Sequence, residues 1–366
     1  VGSNLTREAS TLHVPSERNL GTLTTNFFQI QAKTGLKECI EPNEEVGTMA
    51  DLTAQAPEDL GLANVLYEKD GYKVTITLNR PEKLNALDFQ TLKDIARACE
   101  NASWDDECAV VVLTGAGDRA FCTGADLGEW ESTLVKRPAD YWKWFGAFED
   151  MHNRLRNIGK PTIARLNGIV VGGGNELNIA CDLAVAADDI TIRQIGNARG
   201  SVAAGGATQW LPLIVGDRRA REILWLCEEI PAEQALDWGL VNRVVPRAQL
   251  DGAVDELAEK LYNKLPECMR YTKAQTNFWR ELSSAMTVPH ARDWLTVHTG
   301  SYETYEGVRA FREKRLPDYE EVRERFAEGH GAQLWGPETK TCSECGAAGL
   351  PERFGHCGVC GASISG

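Results

Sequence analysis

The residues best placed to do chemistry are Val171-Gly172-Gly173-Gly174-Asn175-Glu176-Leu177. Three consecutive glycines separate an apolar run, 161–170, from a helical pattern over 176–186. Backbone without Cβ atoms bends sharply and lets a ligand approach closely. The unbonded N–H groups at the start of the following helix then face whatever occupies the bend. Such a bend suits an oxygen that gains negative charge, and Glu176 stands near enough in sequence to move a proton there. The bland alternative is a tight strand-to-helix turn with a solvated Glu.

A second constellation is Cys342-Ser343-Glu344-Cys345, eleven residues, then Cys357-Gly358-Val359-Cys360. Two Cys-x-x-Cys pairs at this spacing allow four thiolates to converge tetrahedrally, which predicts a structural zinc site on Cys342, Cys345, Cys357 and Cys360. A segment of about 25 residues has too little core to fold without a metal. His356 in place of one thiolate, or a disordered tail of free thiols, are the alternatives.

The elements that must position the glycine turn are legible as hydrophobic patterns. Residues 72–78 alternate and predict a strand; Asp88 is an N-cap candidate for a helix through Cys99; 109–114 is an unbroken apolar strand, as in a sheet buried on both faces. Residues 121–127 form a loop entering a helix, and 141–155 is amphipathic and aromatic. A strand over 162–166 feeds the glycine turn, and 183–187 is the next apolar run. A second flexible loop, 196–206, faces a helix from Thr208, and helical patterns follow over 218–227 and 232–237. A short strand is expected at 240–246, followed by helix over nearly all of 250–328 and a linker from Gly329. Strands and helices recurring with short connections predict an α/β fold with parallel strands. The first 58 residues, rich in Thr, Ser, Asn and Glu, predict an irregular or disordered extension, with Met49-Ala50-Asp51 reading as a natural start.

The net charge is −14, from 53 acids against 39 bases, which argues against a broad nucleic-acid-binding face. No apolar stretch reaches the length of a membrane span, and the first residues lack a secretory-signal pattern. Seven of the eleven cysteines, Cys39, Cys99, Cys108, Cys122, Cys181, Cys227 and Cys268, are scattered in apolar or helical contexts. They read as reduced thiols of a cytoplasmic protein.

Several motifs together resemble the crotonase (enoyl-CoA hydratase/isomerase) superfamily. They are Leu78-Asn79-Arg80-Pro81 with Leu84-Asn85-Ala86-Leu87, Leu113-Thr114-Gly115-Ala116-Gly117, Ala120-Phe121-Cys122-Thr123-Gly124-Ala125-Asp126-Leu127, Lys160-Pro161, Asn167-Gly168, Gly172 to Leu177, Cys181-Asp182 and Ala235 to Asn242. The resemblance covers about residues 62–318 in order. It implies a ββα-superhelix core over 59–246 and a helical C-terminal trimerisation region over 247–328; the Gly and Pro signals and the cysteine spacing add a linker over 329–340 and a zinc ribbon over 341–366. It also implies an acyl-CoA thioester as substrate, coenzyme A being part of it, and a homotrimer or hexamer.

By the same resemblance the backbone N–H groups of Ala125 and Gly173 form an oxyanion hole, and Glu176 matches the first catalytic Glu of the hydratases. The position of their second Glu aligns with Gly196. Lys83 and Leu84 fall where the family wraps the CoA nucleotide. Ala86, Asp126, Gly172, Ser201 and Gln209 complete the expected substrate-binding set, although Asp126 also reads as holding its own turn, and Ser201 and Gln209 as loop hydrogen-bonders.

The loop 194–201 and the tail 311–318 resemble two ring-handling branches, 1,4-dihydroxy-2-naphthoyl-CoA synthase and the alicyclic ring-opening hydrolases. Ala203 or Ala204 stands where those branches keep an Asp. A site with one carboxylate still allows general acid/base work by Glu176, and the expected reaction is hydration of a conjugated C=C in an unsaturated or alicyclic acyl-CoA. The alternatives are C–C hydrolysis or lyase chemistry on a β-keto alicyclic acyl-CoA, and a CoA-thioester-binding protein without turnover. His298 is a proton-carrier candidate if the C-terminal helices fold over the site, Cys122 reads as packing, and the ribbon as a module for docking a protein partner or for packing subunits.

Overall fold

The computed structural model describes residues 53–132, 137–328, 339–351 and 354–364. The expectations for residues 1–52 and for most of the linker lie outside these residues.

The strands are β1 Val65–Asp70, β2 Lys73–Leu78, β3 Val110–Gly115, β4 Ala120–Cys122, β5 Thr162–Leu166, β6 Ile169–Val171, β7 Leu183–Ala187, β8 Thr191–Arg193, β9 Ile230–Pro231 and β10 Arg243–Val245. Two sheets result. The larger runs β1-β2-β3-β5-β7-β10, parallel apart from the β1–β2 hairpin. The smaller runs β4-β6-β8-β9, with β9 antiparallel. Consecutive strands alternate between the sheets: β3 then β4, β5 then β6, β7 then β8. Each pair is followed by helix, so the chain climbs as ββα turns. This is the superhelical core that the sequence resemblance implies.

The helices are α1 Phe89–Trp104, α2 Leu127–Ser132, α3 Pro138–Arg156, α4 Gly173–Ala180, α5 Ala207–Val215, α6 Asp217–Leu226, α7 Ala232–Asp237, α8 Leu250–Tyr262, α9 Pro266–His298, α10 Tyr302–Arg312 and α11 Tyr319–Ala327. Asp88 caps α1 as expected, accepting from Thr91 N–H at 2.8 Å. β3 is buried along its whole length, as its unbroken apolar run requires.

Two apolar runs divide where the sequence pattern is continuous. The run over 161–170 breaks into β5 and β6, which belong to different sheets. Asn167 makes the corner: its amide donates to Gly115 O at 2.8 Å and Gly117 O at 2.7 Å and its oxygen accepts from Gly115 N–H. A Cβ on Gly168 would lie 2.4 Å from Ala120 N, so only glycine passes there. The helical pattern over 176–186 also divides. α4 stops at Ala180 and β7 begins at Leu183. Asp182 forces the change, because its carboxylate accepts from Thr162 N–H at 2.8 Å, Thr162 Oγ1 at 2.9 Å and Lys273 Nζ at 2.8 Å. β7 then pairs with β5, and this tertiary pairing overrides the helix propensity of the Ala-rich run. The strand expected at 240–246 forms only over Arg243–Val245.

α9 crosses the fold and packs on α3 and α5. Among the described residues no helix is long and apolar enough to cross a membrane.

Candidate active site and metal centre

Two close-packed turns create a pair of unused backbone donors. The first is the loop 122–126. Leu87 N–H donates to Gly124 O at 2.8 Å and Asp126 N–H donates to Leu87 O at 2.9 Å, so Ala125 is gripped on both sides. The second is the start of α4. Gly172 donates to Arg193 O, and its carbonyl accepts from Asn175 and Glu176 N–H at 2.9 and 3.1 Å. Among the described residues neither Ala125 N–H nor Gly173 N–H has an acceptor. The turns nearly touch: a Cβ on Gly124, whose φ is +81°, would stand 2.8 Å from Gly173 N. Two fixed amides, one at a helix N-terminus, suit an oxygen developing negative charge.

Glu176 lies in the first turn of α4 and is 4% exposed. Its carboxylate accepts from Ala207 N–H at 3.3 Å and from Gly205 N–H. Burial dominates these bonds and pushes its pKa up to about 7. The buried Tyr141 of α3 shares this space. Its hydroxyl is hydrogen-bonded to the Ser201 side chain, and burial together with the Glu176 charge raises its pKa. Gly196, which the sequence resemblance aligns with the second hydratase Glu, forms a short 3-10 turn with Asn197 and Ala198.

The other predicted residues divide by how committed their side chains are. Ser201 reaches the site through Tyr141. Gln209 is 9% exposed and bonded to Thr208 Oγ1 at 2.8 Å and to Thr287 Oγ1 at 3.0 Å, which ties α5 to α9. Asp126 accepts from Arg80 at 2.9 Å and from Gly128 N–H at 2.9 Å, and so holds the Ala125 turn. Arg80 also donates to Ala86 O at 2.6 Å. Lys83 ends a 3-10 turn, Pro81–Lys83. Leu84 and Asn85 follow with φ of +53° and +55°, a costly conformation held by the Asn85 amide on Ala116 O and Ala120 O at 3.0 and 2.9 Å.

His298 is the last residue of α9. It is stacked on Trp294 with centroids 4.2 Å apart and stands 3.4 Å from the Glu303 carboxylate. It also bonds to the Gly200 backbone, and burial lowers its pKa. Cys122 is fully buried and burial pushes its thiol up to about 12, consistent with packing.

Some site features were not readable beforehand. The aromatic spacing of Tyr141, Trp144, Phe145, Phe148 and His152 on α3 reads as a core stripe, and nothing in it marks the Tyr141 hydroxyl. The buried pair Asn175 Nδ2 to Gln194 Oε1, 3.1 Å, joins α4 to the end of β8 across 19 residues.

The ribbon segment contains β11 Thr339–Lys340 and β12 Leu350–Pro351, paired antiparallel. Its two knuckles have the same bonds. Gly346 N–H donates to Cys342 O and Cys342 N–H to Ala347 O, each 2.9 Å. Gly361 N–H donates to Cys357 O at 2.9 Å and Cys357 N–H to Ala362 O at 2.8 Å. The four Sγ atoms lie within 4.8 Å of one another, with Cys342–Cys360 and Cys345–Cys357 both at 3.6 Å. A tetrahedron with Zn–S bonds of about 2.3 Å has edges of roughly 3.8 Å, so the donors fit a four-thiolate metal.

Solved structures resemble the chain over this core. An enoyl-CoA hydratase from Mycobacterium avium subsp. paratuberculosis matches at 26% identity over 70% of this chain and 99% of its own, with a TM-score of 0.64. An enoyl-CoA hydratase from Bacillus anthracis matches at 30% identity over 70% and 99%, with a TM-score of 0.56. An enoyl-CoA hydratase/isomerase from Mycobacterium paratuberculosis matches at 25% identity over 67% and 97%, with a TM-score of 0.62. The family model described as enoyl-CoA hydratase/isomerase matches residues 71–323. With the alternating ββα turns and the paired free amides, the chain belongs to the enoyl-CoA hydratase/isomerase family, within the crotonase superfamily.

Proposed function

We propose that the protein hydrates a conjugated C=C in an unsaturated or alicyclic acyl-CoA. The thioester oxygen accepts from Ala125 and Gly173 N–H, which stabilise the enolate-like charge that forms as water adds. Glu176 moves the proton between water and the α-carbon. The observation that carries this reading is a nearly fully buried carboxyl with a pKa near 7, in the first helical turn after the unused Gly173 N–H. A group titrating near the working pH serves both as base and as acid. The resemblance of the 194–201 loop and the 311–318 tail to ring-handling branches supports a second reading, hydrolytic or lyase-type C–C cleavage of a β-keto alicyclic acyl-CoA.

Mass spectrometry of crotonyl-CoA, a cyclohexene-carbonyl-CoA and a β-keto alicyclic CoA after incubation tests both. Gain of one water, slowed about 10²–10⁴-fold by Glu176→Gln, is the expected result. Chromatography of the product separates a hydroxyacyl group from an opened ring. Thioester binding without any mass change or solvent deuterium uptake would make the chain a binding protein.

The same reading includes zinc as a structural ion on the four ribbon thiolates, with the ribbon as a docking module for a protein partner, and assembly as a homotrimer or hexamer. Large apolar side chains left exposed on α9, among them Phe278, Trp279 and Met286, support assembly. Five buried, unpaired core cysteines, Cys99, Cys108, Cys122, Cys181 and Cys227, support a reducing, cytoplasmic setting.

A further inference from the structure

Trp130 sits on α2, five residues after Ala125, and is 5% exposed. Its Nε1–H is buried and has no hydrogen-bond partner among the described residues. The neighbouring indoles are satisfied: Trp144 Nε1 donates to Glu129 Oε2 at 3.1 Å and Trp210 Nε1 to Ser284 Oγ at 3.1 Å. Leaving a buried donor unpaired costs free energy, so natural proteins rarely do so without an external acceptor.

The surroundings indicate what that acceptor belongs to. Trp130 meets Tyr141 edge-on, with centroids 5.5 Å apart and planes at 77°, and Trp144 at 6.1 Å and 84°. Tyr141 in turn bonds Ser201 and feels the Glu176 charge. Phe148 belongs to the same cluster. A Cβ on Gly173 would lie 3.3 Å from its ring and one on Gly205 only 2.1 Å. A buried aromatic cluster thus links the helix after the Ala125 turn to the surroundings of the Glu176 carboxylate, and the Trp130 N–H in it is unused among the described residues. Aromatic faces and edges favour a flat or cyclic group over a flexible chain.

We propose that the acyl group is a ring bearing an oxygen that accepts from Trp130 Nε1–H. This rests on the reading above that a CoA thioester occupies the Ala125–Gly173 pair. Trp130 is then a specificity-determining residue: it rewards the ring oxygen and leaves the thioester chemistry to Glu176 and the two amides. A site built around a hydrogen bond discriminates strongly against an analogue that leaves its donor unpaired.

The test uses equilibrium binding of saturated, unreactive analogues to the full chain: cyclohexane-carbonyl-CoA and its 3-oxo and 4-oxo ring ketones. The expected result is about tenfold tighter binding of one ketone than of the parent ring, falling to within about twofold in Trp130→Phe. The ratio is internal to each protein, so a general weakening of the variant does not imitate it. A second readout is the indole proton resonance that disappears in Trp130→Phe; in the wild type it should move downfield with the favoured ketone and not with the parent. Equal binding of parent and both ketones by the wild type, or a ratio retained in Trp130→Phe, overturns the proposal. Discrimination without hydration of any conjugated acyl-CoA would leave it standing and remove the hydratase reading instead.

Discussion

At the scale of residues, Glu176 carries a cost that its chemistry explains. Burial raises its pKa from 4.5 to about 7, so its charge is worse accommodated in the folded chain than in the unfolded one. The linkage follows from that direction. The stability it contributes is fully present below the unfolded value and is lost as pH rises through about 7. Glu176→Gln carries no charge to lose. Urea denaturation at pH 5 and pH 8 should therefore show the variant gaining on the wild type at the higher pH, by a few kcal/mol at most. A gap that stays constant between those pH values would mean that the carboxyl is not desolvated in solution. In the wild type the base form gains with the same titration, so kcat/KM for hydration should climb through pH 7 before any acid limb appears. On the proposed mechanism, one residue trades stability at neutral pH for a proton carrier at its working point.

At the scale of elements, the site depends on how closely two turns approach. Gly124 is the tightest point: its φ of +81° disfavours any side chain, and an added Cβ would press on Gly173 N at 2.8 Å. Gly124→Ala should part the two donors. The expected loss is at least about 10²-fold in kcat/KM, comparable to removing one oxyanion donor, with far-ultraviolet circular dichroism unchanged. Retained activity would sever the paired amides from catalysis. The glycine turn, the Asp88 cap and the buried β3 could all be read beforehand because each is a local signal: a residue type at a fixed offset from a pattern. The division of 161–170 between two sheets and the halt of α4 before Asp182 could not. Both are decided by partners far along the chain, Gly115 for Asn167 and Thr162 with Lys273 for Asp182. The Tyr141–Ser201 contact, across 60 residues, was hidden for the same reason. The aromatic cluster beside Glu176 was legible only as a core stripe, because its spacing on one helix face is that of any buried helix.

At the scale of the whole molecule, two hydrophobic clusters of very different size share one chain. The large one holds the ββα core, whereas the ribbon's is little more than Cys342, Leu350 and Cys357 with Ala347, Ala362 and Ile364 against them. So small a cluster cannot offset the backbone entropy of its own segment, and the proposed metal–thiolate bonds would supply the remainder. Protein grown with zinc should carry one zinc per chain. A strong chelator at neutral pH should release it and make four further thiols per chain reactive, those of Cys342, Cys345, Cys357 and Cys360. The increment is diagnostic because the five buried core thiols stay protected while the core is folded. Light scattering on the same samples reads assembly separately: the proposed trimer has three times the 40.3 kDa chain mass. That mass should survive chelation if α9 and its exposed aromatics hold the subunits together. Its loss together with the metal would move the ribbon from docking module to subunit joint. Metal-free protein with all four thiols already reactive would remove the zinc assignment, leaving the hydratase core to stand by itself.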